Sequence, residues 1–283
     1  MAAGLGHVLI LGGMTDRADP TSYATSALLY DIAEDSWVEL AHPVGFIAGM
    51  NHEVVWTGGE FLTWCGWREP ASEGAQPHGE LEAGARIDPA TGNWRSITDN
   101  GRPDGQGPMI WTSQGLFLWT YSPEQMRPSA WLYAPEDDEW EAVVVDPNIT
   151  PRYAFLAASE EAVYVVGGDT YTYGEYYRYS STETWIREVW EFRLLERTWN
   201  KMSLPGDAAV GMLTHFIDGR LYLFDSSCAP GSFYTPATGE WGATTWPADL
   251  SWPLYLLEID GKVSLYGSSG HFASYGSFFQ YTP

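Results

Sequence analysis

Cysteine and basic residues are scarce in this chain, and no long apolar run occurs. Two cysteines, Cys65 and Cys228, cannot form the framework of a disulfide-stapled domain. Only 14 Lys and Arg face 37 Asp and Glu, a formal charge of −23. Such a surface repels phosphate backbones, which excludes nucleic acid as a partner and favours cationic or amine-bearing ones. No run of some 18 apolar residues exists, so no helical membrane span is expected. The first residues, Met-Ala-Ala-Gly-Leu-Gly, carry neither a charged leader nor an apolar secretory core. The six histidines are dispersed, with none at a metal-ligand spacing, so neither metal nor other cofactor is expected. There is no nucleophile elbow and no phosphate loop. Long helical periodicity is absent as well.

What is abundant is aromatic and turn-forming. Fifteen Trp, seventeen Tyr and eleven Phe favour strands, and thirty Gly with eighteen Pro supply many tight turns. One hairpin ending recurs five times: DIAEDSW (31–37), DPATGNW (88–94), APEDDEW (134–140), RLLERTW (193–199) and TPATGEW (235–241). Each is an apolar strand, a polar turn and a Trp that opens the next strand. SFFQYTP (277–283) copies the start of that unit. A second motif precedes each ending: a short turn, then an apolar strand, as in HVLILGG (7–13), EFLTWCG (60–66), GLFLW (115–119), AVYVVGG (162–168), RLYLF (220–224) and KVSLYG (262–267). Turns such as Asp218-Gly219 and Asp260-Gly261 are hairpin signals, because Gly accepts the positive φ they require. Self-similarity at this period marks a repeat fold.

Strand, tight turn, strand ending in Gly-Gly, variable loop, Tyr- or Phe-containing strand, polar turn, Trp: this order resembles the kelch repeat. VYVVGG and VLILGG match most closely, and the units that begin in 99–143, 204–246 and 247–283 lack the Gly-Gly pair. The resemblance implies an all-β, six-bladed kelch-type β-propeller, like the central domain of galactose oxidase, with incomplete first and last blades. A single domain over 1–283 is expected, with blades at 1–41, 42–98, 99–143, 144–203, 204–246 and 247–283. Blade one starts almost directly at its second strand, and the reading favours a truncated chain. It would be cytoplasmic if full length and exported if its N-terminus has been removed. The cysteines fall three blades apart, too far for a disulfide. Trp37, Trp94, Trp140, Trp199 and Trp241 are expected to lie mostly buried between blades, and Gly12, Gly13, Gly167 and Gly168 to serve the backbone.

Function on such a scaffold belongs in loops. In kelch proteins the second-to-third strand loops share a face with the blade-to-blade connections. The 169–188 loop is dense in Tyr171, Tyr173, Tyr176, Tyr177 and Tyr179, with Asp169, Arg178 and Arg187. Tyr and Arg give rigid contact area and planar donors. Trp67, Arg68, Tyr121, Asp169 and Ser226 follow second strands, and His52, Arg152, Tyr153 and His215 lie near the starts of innermost strands. The expected ligand-binding set is therefore Trp67, Arg68, Arg152, Asp169, Tyr173, Tyr176, Tyr177, His52 and His215. His52, His215 and His271 are the candidate acid-base groups. No Tyr-His pair reproduces the copper-radical oxidases of this family, and no segment recommends an iron site. The leading expectation is a binding module for a small molecule, glycan or protein partner. The alternatives are an enzyme of sugar epimerase, lyase or cyclase type with a pocket at the same mouth, and a structural domain of a larger protein.

Overall fold

A computed structural model describes residues 2–4, 6–12, 16, 22, 24–43, 46, 53–64, 84–98, 100–101, 103, 107–122, 127–151, 154–168, 186–206, 208, 213–224, 231–244, 252–259, 262–268 and 277–280. For Tyr121, Ser122, Leu213 and the strands from 252 onward it describes the backbone alone. The described residues form twenty-three strands and no helix. The chain divides into two compact units, Met1–Val144 and Val145–Pro283.

The first unit holds three four-stranded sheets. They are β1 (Ala2–Gly4) to β4 (Ser36–Ala41), through β2 (His7–Ile10) and β3 (Ser26–Asp31); β5 (Glu53–Trp56) to β8 (Trp94–Ser96), through β6 (Phe61–Trp64) and β7 (Gly84–Ile87); and β9 (Met109–Thr112) to β12 (Glu139–Val143), through β10 (Gly115–Ser122) and β11 (Arg127–Ala134). The second unit holds β13 (Phe155–Ala158), β14 (Ala162–Val166), β15 (Val189–Arg193) and β16 (Thr198–Lys201). Next come β17 (Leu213–Ile217), β18 (Arg220–Phe224), β19 (Gly231–Thr235) and β20 (Glu240–Thr244), and then the three-stranded sheet β21 (Trp252–Ile259), β22 (Lys262–Ser268) and β23 (Ser277–Gln280). Every sheet is an antiparallel meander in chain order. The first sheet therefore has a complete set of four strands, because Ala2–Gly4 pairs with His7–Leu9 around Gly6, whose φ is +76°. A strand this short and alanine-rich carries no sequence signal of its own.

First strands touch first strands: β1 meets β5 and β5 meets β9 in one unit, and β13 meets β17 and β17 meets β21 in the other. The Thr214 hydroxyl on β17 donates to the Leu156 carbonyl on β13 (3.2 Å). Second strands are buried on both faces, as β6 and β14 are throughout. Their alternate residues enter different cores. Phe61 packs with Leu9, Leu29 and Ile87 towards the first sheet, while Leu62 and Trp64 pack with Met109, Leu116 and Tyr133 towards the third. Leu221 and Leu223 of β18 join Tyr164 and Val189 of the fourth sheet.

The recurring Trp has one job in all five copies. It stands directly across the ladder from the residue seven positions earlier: Tyr30–Trp37, Ile87–Trp94, Tyr133–Trp140, Phe192–Trp199 and Tyr234–Trp241. The aromatic pairs have ring centroids 4.7–5.0 Å apart, within the favourable range for such contacts. The expectation that these Trp residues are mostly buried is corrected at Trp37, which is 54% exposed; Trp94, Trp140, Trp199 and Trp241 keep only a minor part of their surface exposed. The Trp opens the outermost strand of its sheet, so one ring edge faces solvent even where the other meets the preceding sheet. Trp140 does so against Trp64 (4.7 Å), and Trp94 against His42 and Phe46.

Two positions before each Trp the backbone turns left-handed, at Asp35, Gly92, Asp138, Arg197 and Gly239. In three copies that residue's N–H donates to the carbonyl four residues back, closing the turn. Asp at this position has a further role: Asp35 and Asp138 each accept the hydroxyl of the stacked Tyr30 or Tyr133 at 2.5 Å. In the copy that holds Arg197, Trp199 packs on Phe192, which has no hydroxyl to offer the turn. A left-handed non-Gly residue costs about 1–2 kcal/mol, and an exposed arginine recovers little of that through surface pairing. Arg197→Gly should stabilise the second unit by about 1 kcal/mol after allowing for the greater freedom of glycine in the unfolded chain. Thermal unfolding checks this, and an unchanged or lowered Tm would contradict it.

Candidate functional site

In both units the second-to-third strand loops and the outgoing sheet-to-sheet connections leave from one end. In the fourth sheet the hairpin ladder runs past the strands: Gly167 N–H donates to Glu188 O (2.8 Å), and Ile186 N–H to Gly168 O (3.0 Å). Gly167 and Gly168 take φ of +59° and +106°, which fits their expected backbone role. Arg187, next in line, donates from Nη2 to the carbonyls of Gly206 (3.2 Å) and Ala208 (2.6 Å) in the connection between β16 and β17. The outgoing arm of the tyrosine-rich segment is thus tied to that connection. In the first unit Ile97 N–H donates to Gly84 O, and His42 N–H to Thr25 O, joining each outgoing connection to the root of its loop.

Arg187 is flanked by a charged group that braces the same root. Glu188 accepts from the Trp190 indole (3.0 Å) and pairs with Lys201, whose ammonium also lies 5.4 Å over the Trp190 ring. These hydrogen bonds hold the Glu188 carboxyl below its ordinary pKa despite partial burial. At the opposite end of the second sheet, Glu60 is clamped by Arg86 (2.5 Å) and Arg95 (2.7 Å), and Arg86 also reaches the Pro135 carbonyl. That cluster joins turns of neighbouring sheets and is structural.

Of the predicted site residues, Trp67, Arg68, Asp169, Tyr173, Tyr176 and Tyr177 lie outside the described residues. So do His52 and Arg152, together with Tyr153, Ser226, His271, Cys65 and Cys228. Pro151 and Ala154, which bracket Arg152 and Tyr153, are buried. His215 alone falls within the described residues. It sits in the middle of β17, half-buried, directly across from Tyr222. Its Nε2 and the Tyr222 hydroxyl are both buried without a hydrogen-bond partner among the described residues. Burial lowers its pKa, so the imidazole is neutral at pH 7.

Glu53, at the start of innermost strand β5 and next to His52, went unmarked in the sequence. It is solvent-accessible, yet the protein around it pushes its carboxyl pKa up through desolvation. Its signal was its place: the first residue of an innermost strand, at the end where the loops gather. A carboxyl so held can donate a proton or pair with a cation. Among the described residues no group of three or more His, Cys, Asp or Glu is placed to hold a metal ion, and no helix is long and apolar enough to cross a membrane.

His215 and His42 generate a pH prediction. His42, packed against Phe46 and Trp94, is also lowered by burial. A histidine whose folded pKa lies below its unfolded value of about 6.5 contributes stability present above that value and lost as pH falls through the folded pKa. The protein should therefore lose stability as pH falls below about 6.5, and His215→Phe should lose less over the same fall. Equal losses in the two proteins would exclude His215 as a contributor. No protein-family model matches this chain, and no curated protein matches it either.

Proposed function

We propose that the chain is a six-bladed kelch-type propeller that binds a ligand on the face built by its second-to-third strand loops. The observation that supports this most is the succession of meander sheets whose first strands adjoin within each unit, combined with the gathering of loops and connections at one end. A meander packed through its first strands is the unit from which propellers are built. The Arg187 anchor at the root of the tyrosine-rich loop suits a loop that must present its aromatics in a fixed place. The ligand classes that fit are a peptide, a glycan or an amine-bearing small molecule. Tyr and Trp offer stacking faces, and the strong acidity favours a cation.

Glu53 favours a second reading, an enzyme acting at the same mouth, because a carboxyl with a raised pKa at the start of an innermost strand can serve as a general acid. A glycan array and a set of basic peptides, followed by titration of each hit, separate these readings from a purely structural role. Two stacking contacts contribute about 0.5–1.5 kcal/mol each. Tyr173→Ala combined with Tyr177→Ala should therefore weaken the hit by about 10–100-fold with the Tm unchanged. Binding of a cationic hit should also fall as salt rises. Unaltered affinity in the double variant would remove the site from this loop, and turnover lost in Glu53→Gln would favour the enzyme.

A further inference from the structure

Asparagine is followed by glycine once in this chain, at Asn100-Gly101; Asn51, Asn93, Asn148 and Asn200 precede His, Trp, Ile and Lys. The pair forms a turn in the connection between β8 and β9. Asn100 is exposed, and its backbone N–H donates to the Thr98 hydroxyl (3.2 Å). Gly101 has φ of +68°, and a Cβ placed on it would meet nothing closer than the Trp140 carbonyl, at 3.8 Å. The backbone nitrogen of residue 101 is thus unshielded by any side chain of its own, and water reaches the Asn100 amide from outside.

We propose that Asn100-Gly101 is a self-modification site at which the Asn100 amide is converted to a carboxylate. The deprotonated backbone nitrogen of Gly101 attacks the Asn100 side-chain carbonyl carbon. A C–N bond forms, the carbon–amide bond breaks, and ammonia leaves with a proton from solvent. Water then opens the five-membered succinimide at either carbonyl. The product is an aspartate at position 100, or its isomer in which the backbone runs through the side-chain carbon. No oxidant, metal or second protein is required.

The surroundings make the change consequential. Thr98, two residues earlier, donates its N–H to Asp138 (3.1 Å), and Asp138 also accepts the hydroxyl of Tyr133 in the stacked Tyr133–Trp140 pair. The new negative charge arises two residues from the Thr98 N–H that Asp138 accepts, and the isomer adds a backbone atom beside that anchor. Both act against the contact that fastens this connection to the third sheet.

The whole protein is incubated in mildly alkaline buffer, digested, and read by mass spectrometry beside methyl transfer from an isoaspartyl methyltransferase. The peptide containing Asn100 should convert faster than those containing Asn93, Asn148 and Asn200, and methyl acceptance should fall in Asn100→Gln to the level that the Asp-Gly pairs at 104, 218 and 260 sustain. The Tm of aged wild-type protein should fall, while that of aged Asn100→Gln stays constant. Conversion at Asn100 no faster than at the other three asparagines would overturn the proposal. Conversion with an unmoved Tm would overturn its coupling to Asp138.

Discussion

The contact on which the outer half of each four-stranded sheet depends is the Trp that opens its fourth strand, packed across the ladder on the residue seven positions earlier. The fourth strands are short and mostly exposed, and Glu139–Val143 has no fully buried residue. Such a strand buries too little apolar surface to hold itself in place. The Trp supplies that surface within the first two rungs after the turn. The left-handed residue two positions before it sets the angle at which the chain returns, so register and aromatic contact are fixed together. One slipped residue would turn the Trp to the other face.

Inside that frame the burden passes to the second strands, whose alternate residues fill two different cores. This explains runs such as AVYVV, continuous in apolar character yet still read on two faces. Polar side chains at the turns between strands are answered where they lie. Ser159, Thr57 and Thr112 each fold a hydroxyl back onto the turn between first and second strands. Glu60 enters a nearly buried position only because two arginines meet it. The ends of the sheets then differ in kind. One end carries the tight turns that recur from sheet to sheet, and the other carries the loops that differ.

That division decided what could be read from residues alone. The strand order, the Asp218-Gly219 hairpin turn and the place of each Trp follow from short-range patterns: alternation, turn chemistry and recurrence. The short strand Ala2–Gly4 was not legible, because backbone pairing rather than side chains makes it a strand. Nor was the exposure of Trp37, since a residue's partners across sheets leave no trace in its own segment. Asp35 and Asp138 were legible as turn residues but not as acceptors for Tyr30 and Tyr133. That role appears only when the turn brings positions five apart together. At the candidate site, the loops were recognisable as the variable parts, and Arg187 as one of their charged residues. Its reach to Gly206 and Ala208 depends on the fold. Glu53 was hidden for the same reason, because an acidic residue opening a strand is unremarkable until the surrounding protein shifts its pKa.

The central claim is that the aromatic contact itself, rather than apolar bulk at two positions, fastens the outer strand. Phe192 and Trp199 test it most cleanly, since their ring centroids lie 4.8 Å apart at a tilt of 35° and Phe192 has no hydroxyl. A double-mutant cycle with Phe192→Leu and Trp199→Leu, read by denaturant unfolding, should give a coupling of about 0.5–1.5 kcal/mol. Additive losses with no coupling would contradict the account.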